Sequence, residues 1–388
     1  MSNTYKDNKL FLIVCSVMIF YLSYRYPLQI NSSLTSPTYS DTPFVLQIGK
    51  YAFLLSIIVA MFLTPKPKFK HRRCDIYILI FSFFILFYFL CKYIIYFQVE
   101  FLYQIPIYTL PVLFVSLIRK VDLSSLSKPI NVLFIISFLI NLVQLFLFLF
   151  TNRLPALAYG NSLSVRFGSF LDDPNGFGLL CIIFIGWVHV KYQHNKLKRI
   201  AAQFAIILMI LMTQSLTILS LSFIIYIFLY ARDISFVLCS VFVTTILFFI
   251  VPDLDEKLWQ IYELKKGSID DHTSISINLN HAIEFIFGGK YIPLESWWIS
   301  SFLSNGAVFT LFIFVIGVVV CTRLFKQYKR TIDIDERAVL FSIFLFSLSF
   351  MVGSLNLPFF NIFPLNFLYL TLLLMSFKRK FTIKNDRS

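Results

Sequence analysis

The sequence predicts an all-α polytopic membrane protein, and three observations carry that reading. Hydrophobic residues make up 58% of the 388 residues and charged ones only 14%, against about 45–50% and about 25% in an average soluble domain. The apolar residues gather in runs of about 20, the length an α-helix needs to cross the hydrocarbon of a bilayer. Lys and Arg punctuate those runs one-sidedly. No single soluble core buries that much apolar surface, so a soluble enzyme is excluded. A disordered chain and a disulfide scaffold are excluded on the same composition.

In chain order the apolar runs cover 9–24, 44–63, 75–97, 101–118, 129–150, 170–190, 200–213, 215–230, 234–251, 297–320, 337–355 and 362–377. That is about 12 transmembrane helices in a single transmembrane domain over 1–388. Lys6 and Lys9 precede the first run, and Tyr21-Leu22-Ser23-Tyr24-Arg25 is a poor cleavage site, so this run reads as an uncleaved span. Span five carries Asn141 and Gln144 on one face, suited to hydrogen bonds between helices. The stretch 200–230 is long for one crossing and short for two. Polar Thr213-Gln214-Ser215 divides it, and a single crossing would turn Arg323–Arg330 and Lys378–Lys384 to the wrong side, so two short crossings are expected. Lys50 and Lys92 fall inside spans, where charge is expensive. Lys92 is near the outer end and is expected to snorkel, whereas Lys50 lies deeper and suits a polar cavity.

With the N-terminus inside, the inner segments hold 25 of the 34 Lys and Arg residues and the outer segments 7, and the acids run the other way. The net charge of +14 is therefore a topology signal that places both termini in the cytoplasm. Split among separate segments, it forms no stripe for nucleic acid. None of the six cysteines falls in an outer loop and no Cys-x-x-Cys occurs, so neither a disulfide nor a zinc site is indicated.

Two outer segments are long. One is 151–169, leading into span six; the other is the periplasmic loop 252–296, between spans nine and ten. In the second, Leu254, Leu258, Ile261 and Leu264 form one face of a short helix over 253–266, ended by Gly267. Asn280 caps a second short helix with His281 and Glu284 on one face, and Gly288-Gly289 stops it.

The stretch from Val165 to Gly178 holds the densest chemistry. Asp173-Pro174 reads as the N-cap and first residue of span six. The positive end of that helix then faces outward, and free backbone N–H groups there suit an anion. Gly176 and Gly178 leave the backbone approachable, and Arg166 can fork onto a phosphate or carboxylate. The alternative is that Asp173 only caps, Arg166 pairs with Asp172, and the glycines serve helix packing. Glu295 opens span ten, where a carboxylate raised by burial suits a general base on a hydroxyl; it equally suits the dipole of the helix it precedes. His281, with Glu284 nearly a turn on, is the rival base. Lys290 after two glycines and Arg153 at the end of span five are further phosphate candidates. Trp297 and Trp298 suit an interfacial belt or a sugar ring. His272 beside Asp270 and Asp271 makes no persuasive metal set, and no Gly-rich phosphate loop is present, so neither a metal nor another cofactor is expected.

Arg166, Gly168 and then Asp173-Pro174-Asn175, with small residues opening a span, resemble the bacterial O-antigen ligase and polymerase superfamily. The long outer loop late in the chain is similar too, ending in Ile286-Phe-Gly-Gly-Lys290, then Glu295-Ser-Trp-Trp298, then Asn305-Gly306. Ligases of that superfamily usually carry a His where Glu295 stands, and a Ser-Arg where this chain has Ser215-Leu216, so the resemblance favours a polymerase. It implies a glycosyltransferase of the bacterial inner membrane that joins undecaprenyl-diphosphate-linked repeat units of O-antigen or capsule at the periplasmic face. Glu295 or His281 would be the base and Arg166 would meet the departing diphosphate, with Asp172, Asp173 and Asn175 shaping the pocket. Partners would be the lipid-linked glycan donor and acceptor, membrane lipids, a chain-length regulator and a flippase. The rivals are a ligase acting on the lipid A core and a flippase or secondary transporter. A transporter would show repeat symmetry and paired half-helices, and the sequence shows no internal repeat.

Overall fold

The computed structural model describes residues 73–117, 123–151, 158–161, 164–169, 171, 173–230, 282–292, 294, 296–361 and 365–377. The spans expected at 9–24, 44–63 and 234–251, the amphipathic helix over 253–266, and Lys50 lie outside the described residues.

The helices are α1 (Arg73–Tyr96), α2 (Glu100–Leu117), α3 (Ser127–Thr151), α4 (Pro174–Lys191), α5 (Lys196–Thr213), α6 (Leu216–Tyr230), α7 (Ala282–Phe287), α8 (Trp297–Arg330), α9 (Ile334–Gly353) and α10 (Leu365–Phe377). Short 3₁₀ turns precede α3 at Leu123–Leu126 and α10 at Phe359–Asn361. The long helices coincide with the apolar runs, except that α8 continues to Arg330. The described residues are mostly helical, as the all-α reading expects, with one small addition. Within 151–169, β1 (Ala158–Asn161) pairs antiparallel with β2 (Ser164–Phe167), setting Tyr159 opposite Arg166. Tyr159, Val165 and Phe167 favour strands, and Gly160-Asn161 favours a turn, but strands this short carry little pattern in sequence.

Among the described residues, four stretches are long and apolar enough to cross a membrane: Leu123–Phe150, Pro174–Lys191, Trp297–Arg330 and Ile334–Gly353. Their burial differs in a way that orders the bundle. The spanning windows of α4 and α9 are 83% and 72% buried, those of α3 and α8 only 17% and 33%. Helices apolar all round belong in the centre, and α4 and α9 form that central pair. They approach closely at Gly186, where an added Cβ would lie 2.9 Å from the Ser342 Cα. The outer helices turn apolar stripes outward instead. Leu311, Val315 and Val319 of α8 are exposed, as are Phe83, Phe87 and Ile94 of α1 and Phe146, Leu149 and Phe150 of α3. A soluble monomer does not carry such faces, so the protein is membrane-embedded.

Side-chain bonds fix which helix ends lie together. At one end, Trp187 Nε1 donates to Ser127 Oγ at 3.0 Å, and Ser127 and Lys191 both donate to Asp335 Oδ1. This end also carries Arg199, Arg330 and Arg337. At the other end, β2 meets the start of α4 and the close of α5. Helices α5 and α6 form an antiparallel hairpin that turns at Gln214, in the left-handed region at φ 47°. Gln203 Nε2 donates to Tyr230 Oη and Tyr226 Oη donates to Gln203 Oε1, each at 2.8 Å, pairing the start of α5 with the end of α6. The two helices divide at Thr213-Gln214-Ser215, where the sequence predicts a break.

Helix α8 is interrupted. Gly306 has φ 78° and ψ 171° inside it, and Gly288, just past α7, has φ 75°. The two glycines face one another: a Cβ on Gly306 would lie 2.3 Å from the Gly288 nitrogen, and one on Gly288 would lie 2.4 Å from the Gly306 nitrogen. Only glycine permits both the backbone angles and this approach.

Candidate functional site

The hairpin bearing Arg166 is anchored by its neighbour Phe167, which is buried among Leu145, Phe148, Leu208 and Met212 of α3 and α5. Arg166 is thereby presented where β2, the start of α4 and the end of α5 converge. Its Nε donates to the Thr213 carbonyl at 2.9 Å and its Nη2 to Asn175 Oδ1 at 2.7 Å. Arg166 and Asn175, both expected at the site, are therefore in contact. Thr213 was expected only to divide two helices, yet its carbonyl orients the guanidinium.

Asp173 is the N-cap of α4, with Pro174 at the first helical position, as the sequence predicts. Its Oδ1 accepts from Asn175 N and its Oδ2 from Gly176 N, each at 3.0 Å, and its carbonyl accepts from Phe177 N. Pro174 has no N–H. The first-turn donors are thus consumed, which corrects the expectation of free N–H groups for an anion. Gly176 and Gly178 are also spent on packing, because a Cβ would lie 2.6 Å from Leu365 Cδ1 and 2.7 Å from Ile218 Cγ2 respectively. Burial pushes the Asp173 carboxyl up, while the Asn175 and Gly176 N–H donors and the nearby Arg166 charge pull it down. What this locus offers an anion is the guanidinium, not the helix end.

A fully buried polar row on α3 supports the segment between Arg166 and Asp173. Gln144 Nε2 donates to the Ser169 carbonyl at 2.9 Å, and Ser169 Oγ donates to the Ser137 carbonyl at 3.2 Å. Ser169 sits at φ 55°, a region costly for a residue with a Cβ, so these bonds hold a strained turn. The expected use of Gln144 between helices is thus replaced by a bond to a loop. Asn141 lies in the same row, 0% exposed, with neither amide atom bonded among the described residues.

A second locus lies at the Gly288–Gly306 junction. As expected, a short helix, α7, is stopped by Gly288-Gly289. The broken backbone exposes carbonyls that α1 satisfies from three successive turns. Tyr88 Oη shares its one proton between the Phe287 carbonyl, at 3.1 Å, and that of Asn305, while Lys92 Nζ donates to Gly289 at 3.0 Å and Tyr96 Oη to Gly288 at 3.1 Å. Lys92 is 4% exposed and lies 4.5 Å from the Tyr96 ring centre, so it does not snorkel. The Tyr-x-x-x-Lys-x-x-x-Tyr spacing on one helical face was the signal for this ladder. Lys290 is exposed and follows the clasped Gly289. No bond among the described residues joins it to Arg166.

Glu295, His281, Asp172 and Arg153 lie outside the residues whose side chains are described. Trp297 is 3% exposed and stacked on Phe360 at 3.9 Å, and Trp298 Nε1 donates to the Met351 carbonyl at 2.8 Å. Trp297 is therefore a core residue, which corrects its reading as a belt or sugar platform. No family model, curated protein or solved structure matches the chain.

Proposed function

We propose that the chain is a glycosyltransferase that joins undecaprenyl-diphosphate-linked oligosaccharide repeat units at the periplasmic face of the bacterial inner membrane. The observation that carries this reading is Arg166, held by Asn175 and the Thr213 carbonyl at the end of the bundle away from the basic cluster. By the positive-inside rule the basic end is cytoplasmic, which puts Arg166 outside. A guanidinium clamped at a membrane edge is expensive and marks a functional contact. Its planar fork suits a diphosphate.

In the reaction, the acceptor hydroxyl oxygen bonds to the anomeric carbon of the donor glycan. The bond from that carbon to the diphosphate oxygen breaks, and its electron pair leaves with undecaprenyl diphosphate. Arg166 stabilises the charge that builds on the diphosphate. The hydroxyl proton passes to a base, for which Glu295 and His281 are the candidates. Asp173 and Asn175 act on Arg166 rather than on the sugar. Asp172 shapes the diphosphate pocket, and Arg153 and Lys290 are further phosphate contacts in the same proposal. About twelve crossings, both termini in the cytoplasm, and work beside a flippase and a chain-length regulator belong to the same proposal.

The interrupted α7–α8 junction favours a transporter as second reading, since transporters place broken helices at their binding sites. Against it, side chains of α1 already take carbonyls that would hold an ion there. Surface glycan from a deletion strain, run beside complemented cells, tests the choice. Loss of long chains with single repeats still attached supports a polymerase. Lipid-linked polymer that never reaches the core indicates a ligase, and repeats trapped inside indicate a flippase. Arg166→Ala at normal membrane abundance must reproduce the deletion; wild-type chain length would refute the role of Arg166.

A further inference from the structure

The chain from Arg166 to Asn175 closes into a ring. Asn175 Oδ1 accepts from Arg166 Nη2 at 2.7 Å, and Asp173 caps the helical turn that carries Asn175. Inside the ring, Leu171 N donates to the Gly168 carbonyl at 2.9 Å, a tight turn in which Ser169 stands at φ 55°. A residue with a Cβ keeps that angle only where its surroundings impose it. Any shift of the turn passes along the backbone to Phe167 and Arg166 on one side and to Asp173 on the other.

The surroundings that impose it are one face of α3, on which Ser137 and Gln144 lie two turns apart. Gln144 Nε2 donates to the Ser169 carbonyl at 2.9 Å and Ser169 Oγ donates to the Ser137 carbonyl at 3.2 Å. The carbonyl and the hydroxyl of Ser169 are thus both tied to α3, and Gln144 and Ser169 are fully buried. Leu145 and Phe148, further along the same helix, pack on Phe167, with the Phe148 and Phe167 ring centres 6.1 Å apart. The helix therefore holds the ring at two points, one on each side of Gly168. An apolar residue in place of Gln144 would pack here without burying an amide. Strain held by surrounding bonds gathers at sites that need a preset geometry.

We propose that Gln144 is a positioning residue for Arg166: its amide holds the strained Ser169 turn and so sets where the guanidinium stands relative to the start of α4. The role rests on the reading of Arg166 as the diphosphate contact. Gln144 touches no substrate, but a misplacement of about 1 Å at a reacting group costs about 100-fold in rate. The test reads surface glycan chain length from full-length variants at wild-type membrane abundance, beside Arg166→Ala. Gln144→Met keeps the length of the side chain and removes its donor, and long chains should fall about 100-fold. Ser127→Ala breaks buried bonds to Trp187 and Asp335 at the opposite end of α3 and should keep wild-type length. Glycine takes φ 55° without strain, so Ser169→Gly added to Gln144→Met should restore most of the long chains. A general loss of packing would not be rescued in this way. Three results overturn the proposal: wild-type length in Gln144→Met, an equal fall in Ser127→Ala, or no rescue by Ser169→Gly. Wild-type length in Gln144→Met beside loss in Arg166→Ala removes the role of Gln144 alone, whereas wild-type length in Arg166→Ala removes the diphosphate reading with it. If Gln144→Met does not accumulate, Ser169→Ala decides. It keeps the angle and loses only the bond to Ser137, and wild-type length there would overturn the proposal.

Discussion

Replacing either junction glycine tests the central structural claim. Gly306→Ala puts a Cβ 2.3 Å from the Gly288 nitrogen, 2.4 Å from the Ile286 carbonyl oxygen and 2.5 Å from the Phe287 carbonyl carbon. All three are backbone atoms, so no rotamer change relieves the overlap. The φ of 78° with ψ of 171° is itself a glycine conformation, worth about 1–3 kcal/mol of strain in any other residue. Forcing backbone apart adds about 1–3 kcal/mol, and the ladder from Tyr88, Lys92 and Tyr96 loosens as its acceptors move. A loss of about 4 kcal/mol is expected, or about 10 °C in the unfolding midpoint. Gly288→Ala should match it. Gly289→Ala is the control, because its Cβ would meet only the Leu303 carbonyl oxygen, at 3.8 Å. Thermal unfolding of the purified protein in detergent, followed by aggregation on size exclusion, reads all three. If Gly306→Ala melts within about 2 °C of wild type, the facing-glycine junction is wrong.

Other substitutions probe separate parts of the bundle by the same assay. Asp173→Ala removes the α4 cap and should cost about 1 kcal/mol, most of which Asp173→Asn restores; equal melting of the two would deny the cap its role. Asn141→Leu should stabilise by about 1 kcal/mol, because it removes a buried amide that has no partner among the described residues; a marked loss of stability would reveal a partner. Asp335→Asn should cost only about 0.5–1 kcal/mol, since the Lys191–Asp335 pair is partly solvent-exposed. A larger drop would mean that the Ser127 and Trp187 bonds depend on the charge.

Features written in local residue order were legible beforehand. Asp173-Pro174 marks a helix start, Thr213-Gln214-Ser215 a turn and Gly288-Gly289 a stop, because caps and turns depend on a few adjacent residues. The break at Gly306 was hidden, since a lone glycine in an apolar run is also an ordinary packing contact. The consumption of the α4 N–H groups was hidden for a related reason: Asp173 is read as a cap or as a pocket wall from identical letters, and only geometry shows where its oxygens point. At the candidate site, residue type singled out Arg166 and Asn175, which are in contact, while Thr213 contributes a backbone carbonyl that no side-chain pattern signals. The partners of Lys92 lay beyond any local pattern, being nearly 200 residues away.

That separation bears on how the chain is made. Lys92 and its acceptor at Gly289 are 197 positions apart, and Tyr88 and Tyr96 wait over similar distances. A ribosome finishes α1 tens of seconds at most before α7 emerges, at about 5–20 residues per second. During that interval the helix holds a cationic amine in or near lipid with its final acceptor not yet synthesised. The insertion machinery must shelter it, or the helix must sit high enough for the amine to reach water and sink later. Final seating of α1 therefore depends on synthesis of α7 and the start of α8.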